Sequence, residues 1–327
     1  MKTIAPFLMT AALAASSLTG LAQAQTVASF PAKAVTLVVP FTPSSGSDII
    51  ARIIAPKLAA RWGQPVVVDN KPGASGNLGA RQVASAAPDG YTLLMAINSF
   101  TMTPAIYKSM PFDAVADFAP VAKLAEAGYT FAVNSAVPAK DMASLIAYLK
   151  QNDGKINYGT PGNGTPQHLA MELFKSGAGV NVLHVPYKGI QGALTDLMGG
   201  QVQLMFATVH SMRPPIESGK VRALAVTGQA RNPLAPDVPT FREQGIAYMD
   251  SVDAWYAVLA PARTPADLVA RLNRDFIEVM NSDDVRSALA KQGLSIKTSS
   301  PEQLAAIIKS DLARWKKVVT DAKISAD

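Results

Sequence analysis

Short apolar runs alternate with segments of helical periodicity along most of the chain. Residues 35–39 (VTLVV) form a continuous, largely β-branched run that suits a strand buried on both faces. Helical spacing follows over residues 49–58, where Pro56 is expected to kink the helix or end its first part. The next strand, helix and strand are predicted at residues 66–68, 78–86 and 91–96. This β-α-β-α-β series favours an α/β fold with a parallel sheet covered by helices.

The same alternation restarts after residue 128 and predicts a second lobe. Its predicted strands are residues 129–133, 156–158, 181–185, 202–206 and 222–226. A helix is predicted over residues 141–150, and Thr165 and Pro166 are a natural N-cap and first residue for another. Two C-terminal helices begin at clear signals, Thr264-Pro265 and the capping box Ser300-Pro301-Glu302-Gln303.

Two connections from strand to helix are rich in Gly and hydroxyl side chains. The first loop, residues 42–48 (TPSSGSD), and the second loop, residues 159–165 (GTPGNGT), each lead directly into a predicted helix. Either is a plain surface connection or a cradle of backbone N–H groups at a helix N-terminus, where an anion would bind. Ligands of open α/β sheets bind beyond the carboxyl ends of the strands. The pair therefore predicts a cleft between two lobes that suits a carboxylate.

The composition narrows the functional classes. The chain has 327 residues, of which 49% are hydrophobic and 17% charged, which is enough for two domains with real cores. The formal net charge is +6, but no basic stripe alternates with aromatic residues, so nucleic-acid binding is not expected. A mild positive balance attracts small anions. The absence of Cys excludes disulfides and thiol chemistry.

Residues 1–24 have the features of a cleavable secretory signal peptide. Lys2 supplies a short basic start, an apolar stretch follows, and Ala22-Gln23-Ala24 matches the A-x-A pattern of cleavage sites. The apolar stretch is shorter than the roughly 20 residues that a membrane anchor needs. We therefore expect an exported, soluble protein.

The chain carries none of the motifs that identify common enzyme classes. It has no G-x-S-x-G elbow, no phosphate loop, no dinucleotide fingerprint and no zinc-ligand spacing. Since His168, His184 and His210 are also far apart in sequence, neither catalysis nor a metal or cofactor is expected. His168 either donates to an anion or simply begins its helix, whereas His184 and Trp255 are interpreted as structural.

The chain resembles the Bug family, the periplasmic solute receptors of tripartite tricarboxylate transporters. The similarity covers essentially all of the chain after the predicted signal peptide. The matching runs include FPAKAVTLVVPFTPSSGSDIIAR, GQPVVVDNKPGASGNLGARQVASAAPDGYTLL, INYGTPGNGTPQHLAMELF and HVPYKGIQGALTDLMGGQVQLMF.

This resemblance implies a type II periplasmic-binding-protein fold, in which two α/β lobes close on a ligand. Lobe one would comprise residues 26–127 plus 229–327, and lobe two residues 128–228. The implied function is a periplasmic receptor that captures a di- or tricarboxylate or an aromatic acid. It would deliver that ligand to the membrane subunits of a tripartite tricarboxylate transporter, and we expect it to be a monomer.

The family pattern places the ligand carboxylate against backbone amides and hydroxyls of the two loops. Carried onto this sequence, the ligand-binding candidates are Thr42, Pro43, Ser44, Ser45, Gly46, Ser47 and Asp48, then Gly159, Thr160, Gly164, Thr165 and His168, and finally Asn98, Ser99, Tyr187, Ala207 and Thr208.

Two positions depart from the family pattern. Many relatives have P-G-G-G-[ST]-D where this chain has PSSGSD at residues 43–48, so the extra hydroxyls either donate to the anion or narrow its space. Amino-acid-binding relatives have an Asp after the QLMF run, where this chain has Ala207-Thr208. Because a buried ammonium without a carboxylate is costly, amino acids are predicted to bind poorly. Asp48 is interpreted as ordering its loop at a helix start.

Two other functions remain open from the residues alone. A ligand-sensing partner of a signalling protein would have the same binding site and would differ only in what it docks on. A secreted hydrolase built on the same lobes would require a general base near one of the two loops.

Overall fold

The computed structural model describes residues 30–249 and 252–321, and the predicted signal peptide therefore lies outside the described residues. The first elements of the described chain are β1 (Val35–Val39), α1 (Gly46–Trp62), β2 (Val66–Asn70), α2 (Asn77–Ala84), β3 (Thr92–Ile97) and α3 (Ser99–Ile106). Next come β4 (Phe118–Asn134), α4 (Met142–Gln151), β5 (Asn157–Thr160), α5 (Pro166–Ala178), β6 (Leu183–Pro186), α6 (Ile190–Gly199), β7 (Leu204–Thr208), α7 (Val209–Glu217) and β8 (Val221–Val226). The last are β9 (Asp253–Pro261), α8 (Ala266–Asn281), α9 (Asp283–Ala290), β10 (Ser295–Ile296) and α10 (Pro301–Asp321).

The first sheet contains the predicted parallel core. β1 lies between β2 and β3 and runs parallel to both. Its neighbouring side chains point to opposite faces: Leu37 packs with Ile50 of α1 and Leu272 of α8, whereas Val38 packs with Leu304 of α10. Helices therefore cover both faces, and an apolar strand buried on both sides results, as the continuous run predicted.

The second sheet repeats this arrangement. β5 lies between β6 and β7 and is parallel to both. On one face Phe131, Phe174 and Phe206 pack together, with ring centroids 4.5 Å apart for Phe131 and Phe206. Met205 and Met212 belong to the core on the other face.

Antiparallel strands join the two sheets, and of these the sequence analysis predicted residues 129–133 but neither residues 118–128 nor β9. β9 pairs antiparallel with both β3 and residues 118–128 of β4. From Tyr129 onward β4 pairs instead with β7 and β8. One long strand thus belongs to both sheets and changes partners between Gly128 and Tyr129.

Local sequence signals predicted where helices start more reliably than they predicted where a helix is interrupted. Thr165 is the N-cap and Pro166 the first residue of α5, as predicted. At the start of α10 the amide of Gln303 donates to Ser300 Oγ, and the amide of Ser300 donates to Gln303 Oε1, which confirms the capping box. Pro56 does not end α1, which runs on to Trp62, because the buried face formed by α1 packs into the core along its length.

Candidate functional site

The first loop is held by a buried carboxylate. Ser45 is the N-cap of α1, and its Oγ accepts from the amide of Asp48 at 3.4 Å. The Asp48 carboxylate, 2% exposed, accepts from the amide of Ser44 at 2.9 Å, from Arg52 Nε at 3.0 Å and from Asn70 Nδ2 at 2.9 Å. Burial alone would raise the pKa of Asp48, but the hydrogen bonds from Arg52, Ser44 and Asn70 lower it. These contacts agree with the interpretation that Asp48 orders the loop.

The second loop is held by neutral imidazoles. The amide of Gly164 donates to His168 Nδ1 at 3.1 Å, and Thr160 Oγ1 lies 2.6 Å from His184 Nε2. The two imidazole rings stack with centroids 4.2 Å apart. Burial, followed by the charge of Lys175, lowers the pKa of His168 to about 4. Since the Nδ1 of His168 accepts a hydrogen bond, this loop geometry requires the unprotonated ring.

The pKa of His184 is lowered for the same main reason. Burial and then the neighbouring His168 bring it to about 3, although Glu172 acts in the opposite direction. Glu172 Oε1 also accepts from Tyr158 Oη and from Lys175 Nζ, at 2.5 Å and 2.7 Å. The imidazole pair therefore lies between the second loop and a half-buried, hydrogen-bonded ion pair.

Two further helices begin close to these loops. Thr208, the N-cap of α7, has its Oγ1 3.1 Å from Ser211 Oγ and 3.2 Å from His210 Nε2. Tyr187 lies just before Gly189, the N-cap of α6, and its Oη donates to Asp196 Oδ2 at 2.6 Å. Burial and then this contact raise the pKa of Tyr187 to about 12.

All of these segments border one cavity of about 590 Å³. Five helices begin at it, since N-cap or first-turn residues of α1, α2, α5, α6 and α7 contribute to its wall. Each helix N-terminus carries unpaired backbone N–H groups and a partial positive charge. Among the described residues that line the cavity, the one charged side chain is that of Lys188.

The structure brings part of the predicted set to this wall. The predicted residues that line the cavity are Thr42, Ser45, Gly46, Ser47, Thr165, Tyr187 and Thr208. The remaining ones, which lie outside its lining, are Pro43, Ser44, Asp48, Asn98, Ser99, Gly159, Thr160, Gly164, His168 and Ala207. Several of the second group support the wall from behind: Asp48 and His168 hold the loops, and Asn98 Nδ2 donates to the carbonyl of Asp253 at 2.9 Å.

Sequence reasoning missed other parts of the wall. Polar or aromatic lining residues absent from the predicted set are Phe41, Ser75, Tyr107, Tyr129, Asn163, Gln167, Lys188, Ser211 and Tyr256. A signal existed for Ser75, which lies in another Gly-rich connection from strand to helix, residues 70–77. Lys188 was visible only as part of the matching run HVPYKG.

Loops that follow the two sheets contact each other across the cavity. Ser75 Oγ donates to the carbonyl of Asn163, and Tyr107 Oη lies 3.4 Å from the same oxygen. A Cβ added to Gly189 would lie 3.0 Å from Thr42 Oγ1. Since Thr42 and Ser75 follow strands of the first sheet and Asn163 and Gly189 follow strands of the second, loops from both sheets enclose the cavity.

Residues 30–249 and 252–321 contain no helix that is both long and apolar enough to cross a bilayer. The same residues contain no group of three or more His, Cys, Asp and Glu side chains that could hold a metal ion.

Comparison with known proteins gives consistent results. The model of the tripartite tricarboxylate transporter family receptor matches residues 50–324. A protein from the tcbD-tcbE intergenic region of Pseudomonas sp. (strain P51) is 36% identical over 317 residues, which cover 97% of this chain and 94% of that protein. Protein BugT of Bordetella pertussis is 33% identical over 310 residues, which cover 93% of this chain and 94% of BugT.

Solved structures extend the comparison to the fold. A structure described as a periplasmic transporter is 39% identical and superposes with a TM-score of 0.86, covering 91% of this chain and 100% of that one. The R. palustris protein Rpa4515, solved with adipate, is 35% identical with a TM-score of 0.86, covering 90% and 99%. The expected fold of two α/β lobes is therefore confirmed at the level of the fold class.

Proposed function

The chain belongs to the tripartite tricarboxylate transporter receptor family, and on that premise we propose that it captures a small carboxylate in the cavity and delivers it to a membrane transporter. The observation that carries the proposal is the wall of the cavity. Five helices begin there, and the lining residues include Lys188 but neither Asp nor Glu. Such a wall favours an anion through backbone N–H groups and helix dipoles.

We propose lobe one as residues 26–127 plus 229–327 and lobe two as residues 128–228. The change of partners in β4 between Gly128 and Tyr129 supports the first boundary. The end of β8 at Val226 supports the second. Ligand bound to one loop would gain the donors of the other only when the lobes close, so binding would favour the closed state. Catalysis is not part of this function.

Export to the periplasm completes the proposal. The described residues contain no spanning helix, and the matched family is one of transporter receptors. The predicted signal peptide supplies the export route. Cleavage after Ala24 would be seen as an N-terminus at Gln25 in protein recovered from the periplasm.

A thermal-shift screen tests the proposed ligand class. The purified protein, freed of retained ligand by unfolding and refolding, is mixed with monocarboxylates, dicarboxylates, citrate, aromatic acids, aspartate and glutamate. A ligand at 100 times its Kd stabilises the folded state by about 2.7 kcal/mol, a shift of several degrees in Tm. We expect at least one carboxylate to shift the Tm and both amino acids to leave it unchanged.

The two halves of this expectation fail separately. If no carboxylate shifts the Tm or gives heat in calorimetry, the proposed function is wrong. If aspartate or glutamate binds with submicromolar Kd, the ligand is an amino acid, and the argument from the missing acidic partner at Ala207-Thr208 is wrong.

A further inference from the structure

Lys188 is the feature of the cavity wall that helix N-termini do not explain. It follows β6 and directly precedes Gly189, the N-cap of α6. Among the described lining residues it alone carries a formal charge, and no Asp or Glu of the lining offsets that charge. A cavity built to hold one carboxylate with backbone amides does not need an ammonium group as well.

The backbone on both sides of Lys188 is fixed. The amide of Tyr187 donates to the carbonyl of Thr160 at 2.9 Å, and the Tyr187 hydroxyl donates to Asp196. Gly189 lies against Thr42 of the first loop, where a Cβ would come within 3.0 Å of Thr42 Oγ1. These contacts hold the residue at the place where the two loops meet.

The side chain of Lys188 has no polar partner among the described residues. Lys188 is exposed, and it makes neither an ion pair nor a hydrogen bond with any residue in the described ranges 30–249 and 252–321. The nearby Asp196 carboxylate already accepts from Tyr187. The ammonium of Lys188 is therefore available to a ligand.

We propose that Lys188 binds the second carboxylate of a dicarboxylate ligand, while the helix N-termini of the two loops bind the first. This inference rests on the proposed function and adds a specificity-determining residue to it. A second carboxylate enclosed by the lobes needs a compensating partner, because burial of an unpaired charge is costly. The four-carbon stem of a lysine lets that partner adjust to ligands of different length.

Isothermal titration with matched ligand pairs tests this assignment. The probes are the linear dicarboxylates from malonate to adipate and the mono-methyl ester of each, which keeps the length and removes one charge. We expect the wild-type protein to bind at least one dicarboxylate about tenfold or more tightly than its half-ester, as one charge-assisted contact would give. Lys188→Met should abolish that preference and leave half-ester affinity within about threefold.

Two further variants control the experiment. Lys188→Arg keeps the charge and should keep most of the preference for the dicarboxylate. Lys155→Met removes the same charge from an exposed lysine outside the cavity lining and should change neither affinity. Unchanged Tm values would show that all three variants fold.

The outcomes separate this inference from the proposed function. If diacid and half-ester bind the wild-type protein equally, or if Lys188→Met keeps the preference, the inference is overturned while carboxylate binding stands. If neither these probes nor the monocarboxylates and aromatic acids of the wider panel bind, the proposed function fails and the role of Lys188 fails with it.

Discussion

The first and second loops begin helices at the same cavity, but different chemistry holds them. In the first, ionised Asp48 accepts hydrogen bonds from the amide of Ser44, from Arg52 and from Asn70. In the second, the neutral ring of His168 accepts from the amide of Gly164. One helix start is thus fixed by a charge and the other by an uncharged polar group.

The surroundings of each loop explain the difference. Arg52 keeps 53% of its side chain exposed, so the charge of Asp48 has a hydrated counter-ion at its side. His168 is 3% exposed and stacks on His184, so a charge at that position would be costly. The two arrangements have the same consequence for binding. Neither loop presents an uncompensated negative charge to an anionic ligand.

The largest effect is expected from adding a side-chain carbon at Gly46, where the first loop lies close to Tyr256. Gly46 begins α1 and lines the cavity, and a Cβ there would lie 2.2 Å from Tyr256 Oη. Tyr256 is buried and lines the cavity, so its ring would have to shift to admit the Cβ. Gly46→Ala should lower the free energy of unfolding by about 1–3 kcal/mol and weaken carboxylate binding by about tenfold or more, since a shifted ring would narrow the cavity.

Gly199→Ala provides the matched control. Gly199 ends α6, and nothing lies within 4 Å of an added Cβ. Alanine should leave stability unchanged or raise it by up to about 1 kcal/mol, because it has the higher helix propensity. Equal stability and ligand affinity in Gly46→Ala and wild type would show that the approach to Tyr256 does not constrain the first loop.

Acidification should affect the second loop before the first. Because the folded-state pKa of His168, about 4, lies below its ordinary value of 6.5, the fold favours the neutral ring. Its contribution to stability is complete above pH 6.5 and is lost as the pH falls toward 4, with a slope of up to about 1.4 kcal/mol per pH unit. The lowered pKa of Asp48 acts in the same direction at lower pH, since its contribution is lost only below its ordinary value of 3.8.

Urea unfolding at pH 7, 6, 5 and 4 shows which loop loses its contribution to stability first. His168→Gln removes one of the titrating rings and should lose less stability than wild type between pH 6.5 and 4. Burial also lowers the pKa of His210 to about 4 and that of His184 to about 3, and both of these rings remain in the variant. Parallel pH profiles for wild type and His168→Gln would contradict the assignment of acid sensitivity to His168.

The loops themselves could be predicted because their signals are local. Gly and hydroxyl residues between an apolar run and a helical pattern predicted that a helix follows each loop. Thr165-Pro166 gave the start of α5 to the residue, whereas α1 begins at Gly46, three residues before the predicted position. Family resemblance added the fold class of two α/β lobes. These signals depend only on residues that are neighbours in the sequence.

The supports behind the loops could not be predicted, because they depend on contacts between distant residues. Asn70 reaches Asp48 across 22 positions, and His184 reaches Thr160 across 24. The antiparallel strand β9, which contributes Tyr256 to the cavity, is likewise fixed by pairing with β3 and β4. Trp255 on the same strand donates to Asp311 at 2.8 Å and does not line the cavity, which agrees with its interpretation as structural.

The smallest effect is expected from Arg52→Ala, and its dependence on salt distinguishes the two kinds of support. Asp48 would keep the hydrogen bonds from Ser44 and Asn70, and the lost partner is half exposed, so the cost should not exceed about 1 kcal/mol. The Debye length is about 3 Å at 1 M salt, so the attraction between exposed charges is largely screened. The difference in unfolding free energy from wild type should therefore shrink at that concentration. The difference between His168→Gln and wild type at pH 7 should not change with salt, since both side chains are uncharged there. A loss above 2 kcal/mol for Arg52→Ala, or one independent of salt, would mean that the ion pair and not the hydrogen-bonded carboxylate holds the first loop.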